Sequence, residues 1–180
     1  MSGPDDPAWG FAVSAQVDGF RLRYVRRGAG RPVVALHGWP GCWWDQHRVL
    51  GLLQDEFDVV VPDLRGFGGS DRHDVDPRSA YSAEAQAASV LGLLDELGLD
   101  RVLLHGYDVG SRVAQAVART APERVAALHA GPAVPHGVAR QLDLDFEEFE
   151  VRVLEDVGRF TPLQAPEAVV DAIRALSSTT

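Results

Sequence analysis

The segment Leu104-His105-Gly106-Tyr107-Asp108-Val109-Gly110-Ser111 is the strongest constraint on how this chain folds. A short apolar run enters it and an amphipathic run leaves it, with a glycine two positions either side of a carboxylate. Without a Cβ at Gly106 and Gly110, an incoming strand and an outgoing helix can approach closely. The residue between them can then take a strained backbone conformation. Around this segment, short apolar runs alternate with longer amphipathic ones, the pattern of a mostly parallel sheet covered by helices.

An antiparallel pair is expected to open the chain, residues 11–17 and 20–25, joined by a two-residue turn at Asp18-Gly19. Further strands are expected at 33–36, 58–61, 101–104, 125–128 and 151–154. Helices are expected at 44–53, 82–97, 111–119 and 166–176, the last with proline in its first turn. Ser82 caps the second of these and Gly98 lies just past its end, while Val90, Leu93, Leu94 and Leu97 share one face. Gly92 within it costs about 1 kcal/mol against alanine, a loss that packing can offset. No internal repeat or low-complexity linker divides the 180 residues, so a single domain over 1–180 is expected, with loose ends at 1–8 and 177–180.

Composition removes several function classes. All 17 basic residues are arginine, and the net charge of −9 comes without a basic stripe, so neither nucleic acid nor an anionic membrane is an expected partner. No apolar run reaches the roughly 18–20 residues of a membrane helix. The start, polar and acidic, has neither the basic nor the apolar part of a secretory signal. Cys42 is the only cysteine, which excludes an intrachain disulfide and fits a cytoplasmic setting.

Asp108 has two readings from its own surroundings: a cap for the following helix, or a nucleophile presented on a sharp strand-to-helix turn, close to a helix N-terminus that stabilises negative charge. A carboxylate in that place attacks saturated carbon, displacing halide or opening an epoxide, and forms an enzyme ester. The turn His37-Gly38-Trp39-Pro40-Gly41 also follows a buried strand. It can aim the Trp39 N–H at the point reached by the Val109 N–H, and two converging donors make an oxyanion hole. Pro40 rigidifies that turn, a cis bond being one way. The run Asp63-Leu64-Arg65-Gly66-Phe67-Gly68-Gly69-Ser70-Asp71 is glycine-rich but has neither the lysine of a phosphate loop nor dinucleotide spacing, so no cofactor is expected. No histidine–carboxylate spacing suggests a metal.

Taken together, the turn at 37–40, the loop at 63–70 and the elbow at 106–110 resemble the epoxide hydrolase and haloalkane dehalogenase branch of the α/β-hydrolase superfamily. Residues 112–125 resemble its next helix and strand, and 149–177 its last strand and helix. The resemblance implies an α/β-hydrolase sheet flanked by helices, with Asp108 as nucleophile, Trp39 and Val109 as oxyanion donors, and a small hydrophobic substrate.

The sequence also departs from that family. Where the resemblance implies glycine–histidine–phenylalanine, the chain reads Gly158-Arg159-Phe160. Arginine, with a pKa above about 12, cannot act as a base near neutrality. Arg159 then either pairs with Asp108 and blunts it, or faces solvent. About twenty residues, 131–150, stand where the family holds a cap and usually the triad acid, so a shortened domain without a cap is expected, by nature or by design. An exposed sheet edge and uncovered apolar area would favour a homodimer. His37, Trp43, Tyr107, His136 and Arg159 are the remaining candidates to line a pocket. Each has a plainer alternative: a structural hydrogen bond for His37, a core anchor for Trp43, packing under the elbow for Tyr107, a solvated loop for His136. His105 is expected to be a satisfied core histidine and His129 to end a strand. Two functions follow: a hydrolase of epoxides or alkyl halides, or a catalytically degenerate homologue that binds a small hydrophobic ligand or a protein.

Overall fold

A computed structural model of the chain describes residues 3–131, 157–158 and 160–179. Six strands form one sheet in the order β1-β2-β4-β3-β5-β6. They are β1 (Ala12–Val13), β2 (Arg23–Arg27), β3 (Arg31–Leu36), β4 (Phe57–Pro62), β5 (Val102–Gly106) and β6 (Val125–Ala130). The first two pairings, β1 with β2 and β2 with β4, are antiparallel, and those among β4, β3, β5 and β6 are parallel.

Helices cover both faces: α1 (His47–Leu53), α3 (Ala83–Glu96), α4 (Val109–Thr120) and α6 (Pro166–Thr179), with short helices α2 (Pro77–Ala80) and α5 (Thr161–Gln164) between. Strand alternation divides the core in two. Val34, Leu36, Val60, Val102 and Leu104 pack under α3 and α4, and Val33, Ala35, Val59, Val61 and Leu103 pack under α1 and α6. The central strands are buried on both faces, which is why they read as continuous apolar runs.

The opening hairpin turns at Asp18 and Gly19, both at positive φ (50° and 86°), but its ladder is shorter than the sequence pattern implies. Ser14 explains the break: its hydroxyl takes the Leu22 N–H at 2.9 Å, and the next amide, Ala15, donates to Glu96. The helix α3 starts as expected, with the Ala85 N–H donating to Ser82 Oγ at 3.1 Å, and ends at Gly98 with φ 64°. Gly92 has a positive role there, because a Cβ would sit 2.4 Å from Val17 Cγ2; the hairpin lies directly on that point of the helix.

Neither end is loose within the described residues. A 3-10 turn at Pro7–Trp9 carries Trp9 against Trp43 and Trp44, with ring centroids 5.1 and 5.7 Å away, and α6 continues to Thr179. The expected strand at 151–154, most of the 131–149 join, and the candidates His136 and Arg159 lie outside the described residues.

Candidate active site

The elbow is built by close approach of backbones that glycine alone permits. The strand β5 ends at Gly106 and α4 begins at Val109, leaving Tyr107 and Asp108 to make the whole reversal. A Cβ on Gly106 would sit 2.4 Å from the Gly110 carbonyl oxygen, and one on Gly110 would sit 2.5 Å from that of His37. The first turn of α4 therefore rests on the end of β3. Asp108 is left at φ 53° and ψ −119°, a conformation that a residue with a Cβ rarely adopts and that costs on the order of 1–3 kcal/mol. It occupies the N-cap position of α4 but makes no side-chain capping bond. The cap reading of Asp108 is thereby set aside.

Its side chain is turned to the β3 side. The Trp39 N–H donates to Asp108 Oδ1 at 2.9 Å. Trp39 belongs to the turn after β3, closed by the Gly41 N–H donating to the Gly38 carbonyl at 3.0 Å, with a cis Trp39–Pro40 bond inside it. The turn is pressed onto the elbow: a Cβ on Gly38 would lie 2.6 Å from Tyr107 Cε2 and 2.8 Å from Asp108 Cβ. Two loops at the C-terminal edge of neighbouring strands thus meet at one carboxylate, which is 6% exposed. Val109, at the first position of α4, follows the carboxylate directly.

The other candidates from sequence divide. His37 is fully buried; its Nδ1 bonds the Gly38 carbonyl at 2.8 Å and its Nε2 accepts the Leu64 N–H at 3.0 Å. Burial holds its pKa below the ordinary value, so the ring is neutral and fully engaged, a structural link. Trp43 is a core residue: its ring packs against Trp9, Phe11 and Trp44, and its Nε1–H donates to the Pro4 carbonyl. Trp39, four residues earlier, is 56% exposed. Tyr107 lies buried beneath the elbow, its hydroxyl donating to Asp45 Oδ2. Among the described residues His37, Trp43 and Tyr107 are thus buried, with their polar atoms engaged in hydrogen bonds. The Phe160 ring stands 6.2 Å from that of Tyr107, which brings the start of α5 to the elbow.

Two features escaped the sequence reading. Asp45 is one; its partner Tyr107 is 62 positions away and no local pattern announces the contact. The other is His105, which is not a satisfied core histidine. Its Nδ1 meets His129 Nδ1 at 3.0 Å with the rings stacked, while its Nε2 is buried without a partner among the described residues. Burial holds the His105 pKa well below its usual value; the charge of His129 acts in the same direction and its hydrogen bond partly against it. Register could have found this pair, since the two residues are directly opposed on β5 and β6.

Among the described residues, no group of three or more histidine, cysteine or acidic side chains could hold a metal, and no helix is long and apolar enough to cross a membrane. A family model described as the alpha/beta hydrolase fold matches residues 31–133. The soluble epoxide hydrolase of Corynebacterium sp. (strain C12) is 39% identical over 100 residues, covering 56% of this chain and 34% of that enzyme. Haloalkane dehalogenase 2 of Mycobacterium bovis is 36% identical over 106 residues, covering 58% and 36%. The solved structure of the epoxide hydrolase CorEH without ligand superposes with a TM-score of 0.61 at 35% identity, covering 67% of this chain and 41% of that one. The matched stretch spans about a third of the length of these two curated relatives.

Proposed function

Because this chain belongs to the α/β-hydrolase fold family, we propose that Asp108 is a carboxylate nucleophile that attacks the saturated carbon of a small hydrophobic epoxide or alkyl halide. The observation that carries the reading is the Trp39 N–H on Oδ1 of a carboxylate held at φ 53°. Oδ2 supplies the electron pair for the new C–O bond. The carbon–halogen bond breaks and halide leaves with its pair, or the epoxide C–O bond breaks and its oxygen takes a proton from water. Oδ1 becomes the carbonyl oxygen of the resulting ester, where the Trp39 and Val109 N–H groups form the oxyanion hole.

Hydrolysis of that ester needs a water stripped of its proton. Arg159 stands where the resemblance implies the histidine base, and arginine does not accept a proton near neutrality. The first half of the reaction is therefore expected to outrun the second, and the ester to accumulate. Asp108 is not expected to lose its place to a metal or cofactor in this scheme.

Intact-mass measurement after incubation with styrene oxide or a bromoalkane tests the reading. The expected product is one adduct per chain, the whole epoxide or the alkyl group alone, on the peptide containing Asp108 and absent from Asp108→Asn. Folded protein that forms neither adduct nor diol nor free halide would overturn it. Diol or halide in molar excess over protein would show that another group replaces the base. The arginine at 159 also favours a second reading, a homologue that binds such molecules without reacting. A rise in melting temperature with no adduct from any probe would identify it.

A further inference from the structure

We propose that Asp45 is a positioning residue for Asp108: its carboxylate grips the Tyr107 hydroxyl across the bare face of Gly41 and holds the 38–41 turn at the distance from which the Trp39 N–H reaches Oδ1. The inference rests on the nucleophile reading above and deepens it.

The turn has little of its own to hold it in place. Trp39 and Pro40 project outward and are exposed, while Gly38 and Gly41 offer only backbone. Its near end is secured by His37, through the Nδ1 bond to the Gly38 carbonyl. Its far end meets Asp45. A Cβ on Gly41 would lie 1.6 Å from Asp45 Oδ2 and 2.5 Å from Asp45 Cγ, so that carboxylate occupies the space a side chain at 41 would fill. The same Oδ2 accepts the Tyr107 hydroxyl.

The Tyr107 ring is the surface on which Gly38 sits, and Tyr107 is the residue joined directly to Asp108. One carboxylate therefore packs against the far end of the oxyanion turn at Gly41 and hydrogen-bonds the residue that precedes the nucleophile. Asp45 is itself anchored. It lies in the 3-10 turn Trp43–Gln46, whose first amide donates to Asp63 Oδ1 at 2.7 Å and whose Gln46 Nε2 donates to the Leu36 carbonyl at 3.1 Å. Burial raises the Asp45 and Tyr107 pKa values alike, in keeping with a proton held between them and away from water.

Asp45 has no role in the bond-making step as written. Its described side-chain hydrogen bond goes to Tyr107. Its effect is on geometry, and a misplacement of about 1 Å at a reacting centre can cost on the order of a hundredfold in rate.

The test uses three variants and two readouts. Asp45→Ala removes the grip, Asp45→Asn keeps an acceptor oxygen, and Tyr107→Phe keeps the ring against Gly38 while deleting the hydroxyl. The first readout is the rate of adduct formation on Asp108 with styrene oxide, resolved into its maximal rate and half-saturating concentration. The second is hydrogen exchange at the Trp39 amide, which needs no reaction. Asp45→Ala and Tyr107→Phe are expected to lower the maximal rate by about tenfold or more with the half-saturating concentration unchanged, and to speed Trp39 exchange. Asp45→Asn is expected to restore both. If Asp45→Ala does not fold, Tyr107→Phe decides alone. A folded Asp45→Ala or Tyr107→Phe with wild-type labelling and wild-type Trp39 exchange would overturn the proposal while leaving the nucleophile intact. A parent protein that never labels would overturn the functional reading, and Trp39 exchange would still decide whether Asp45 holds the turn.

Discussion

Two aspartates sit at the C-terminal edge of the same sheet, and their surroundings are opposite. Asp63, just after β4, is fully buried. Its Oδ1 accepts the Trp43 N–H at 2.7 Å, and its Oδ2 accepts the Gly69 N–H at 2.9 Å and Arg23 Nε–H at 2.8 Å. It ties the start of α1's approach, the glycine-rich loop and β2 into one joint. Asp108, just after β5, is held at positive φ and takes the Trp39 N–H on Oδ1. At Asp63 the fold serves to satisfy the carboxylate. At Asp108 backbone strain is accepted so that the carboxylate faces a turn on the next strand. The residue type is the same, and what differs is the setting: a carboxylate bonded from three sides at Asp63, and at Asp108 one held at positive φ against a single turn, the arrangement on which the proposed nucleophile role rests.

The largest expected effect separates the two. Asp63→Ala leaves Arg23 without its buried partner and strands two amide donors, and breaking a buried pair of this kind costs about 3–5 kcal/mol. Urea unfolding followed by circular dichroism should show that loss, and a loss below about 1 kcal/mol would end the contrast. Next in size is Gly110→Ala. The new Cβ would meet the His37 and Leu36 carbonyl oxygens at 2.5 and 2.6 Å, and backbone cannot yield as a side-chain tip can. About 1–3 kcal/mol of destabilisation is expected, together with loss of Asp108 labelling. A variant of full stability that still labels would show that the elbow does not depend on this contact.

Much of this architecture was legible before any coordinates. Periodicity identified the parallel core, and the glycine–carboxylate–glycine spacing identified the elbow, because both reflect local backbone geometry. What stayed hidden depends on contacts distant in sequence. Ser14 reads as a strand residue, yet its hydroxyl takes a ladder amide and ends the pairing. Residues 1–8 read as a loose end, yet the Pro4 carbonyl within them accepts the Trp43 Nε1–H at 3.0 Å. Trp43 reads either as a pocket residue or as a core anchor, and only the packing of Trp9, Phe11 and Trp44 around it decides for the core. The Asp45–Tyr107 bond joins two motifs that the sequence shows only as separate.

A third test acts on the residue that links the two aspartate regions. His37 accepts an amide from the residue after Asp63 and bonds the turn that faces Asp108. Burial lowers its pKa in the folded state, so the unfolded chain binds the proton more readily. The stability this group contributes is full above about pH 6.5 and is lost as pH falls below that value, by up to about 1.4 kcal/mol per pH unit. Stability curves between pH 7.5 and 5 should show His37→Asn with a slope shallower by up to one proton. Equal slopes would mean that His37 titrates alike in both states and does not bridge the two regions as a neutral ring.

The smallest expected change in stability is at Asp108 itself. Asp108→Gly removes the Cβ that makes φ 53° unfavourable, and it also removes the acceptor for the Trp39 N–H. The first effect stabilises by about 1 kcal/mol and the second costs about the same, since a single hydrogen bond contributes roughly 0.5–1.5 kcal/mol net. The variant should therefore unfold within about 1 kcal/mol of the parent while losing all labelling. Together with Asp63→Ala, the result would place one buried carboxylate in the service of the fold and the other in the service of a reaction. Collapse of Asp108→Gly to the level of Asp63→Ala would instead mean that both carboxylates are structural, and that the strained elbow exists to hold the sheet edge together.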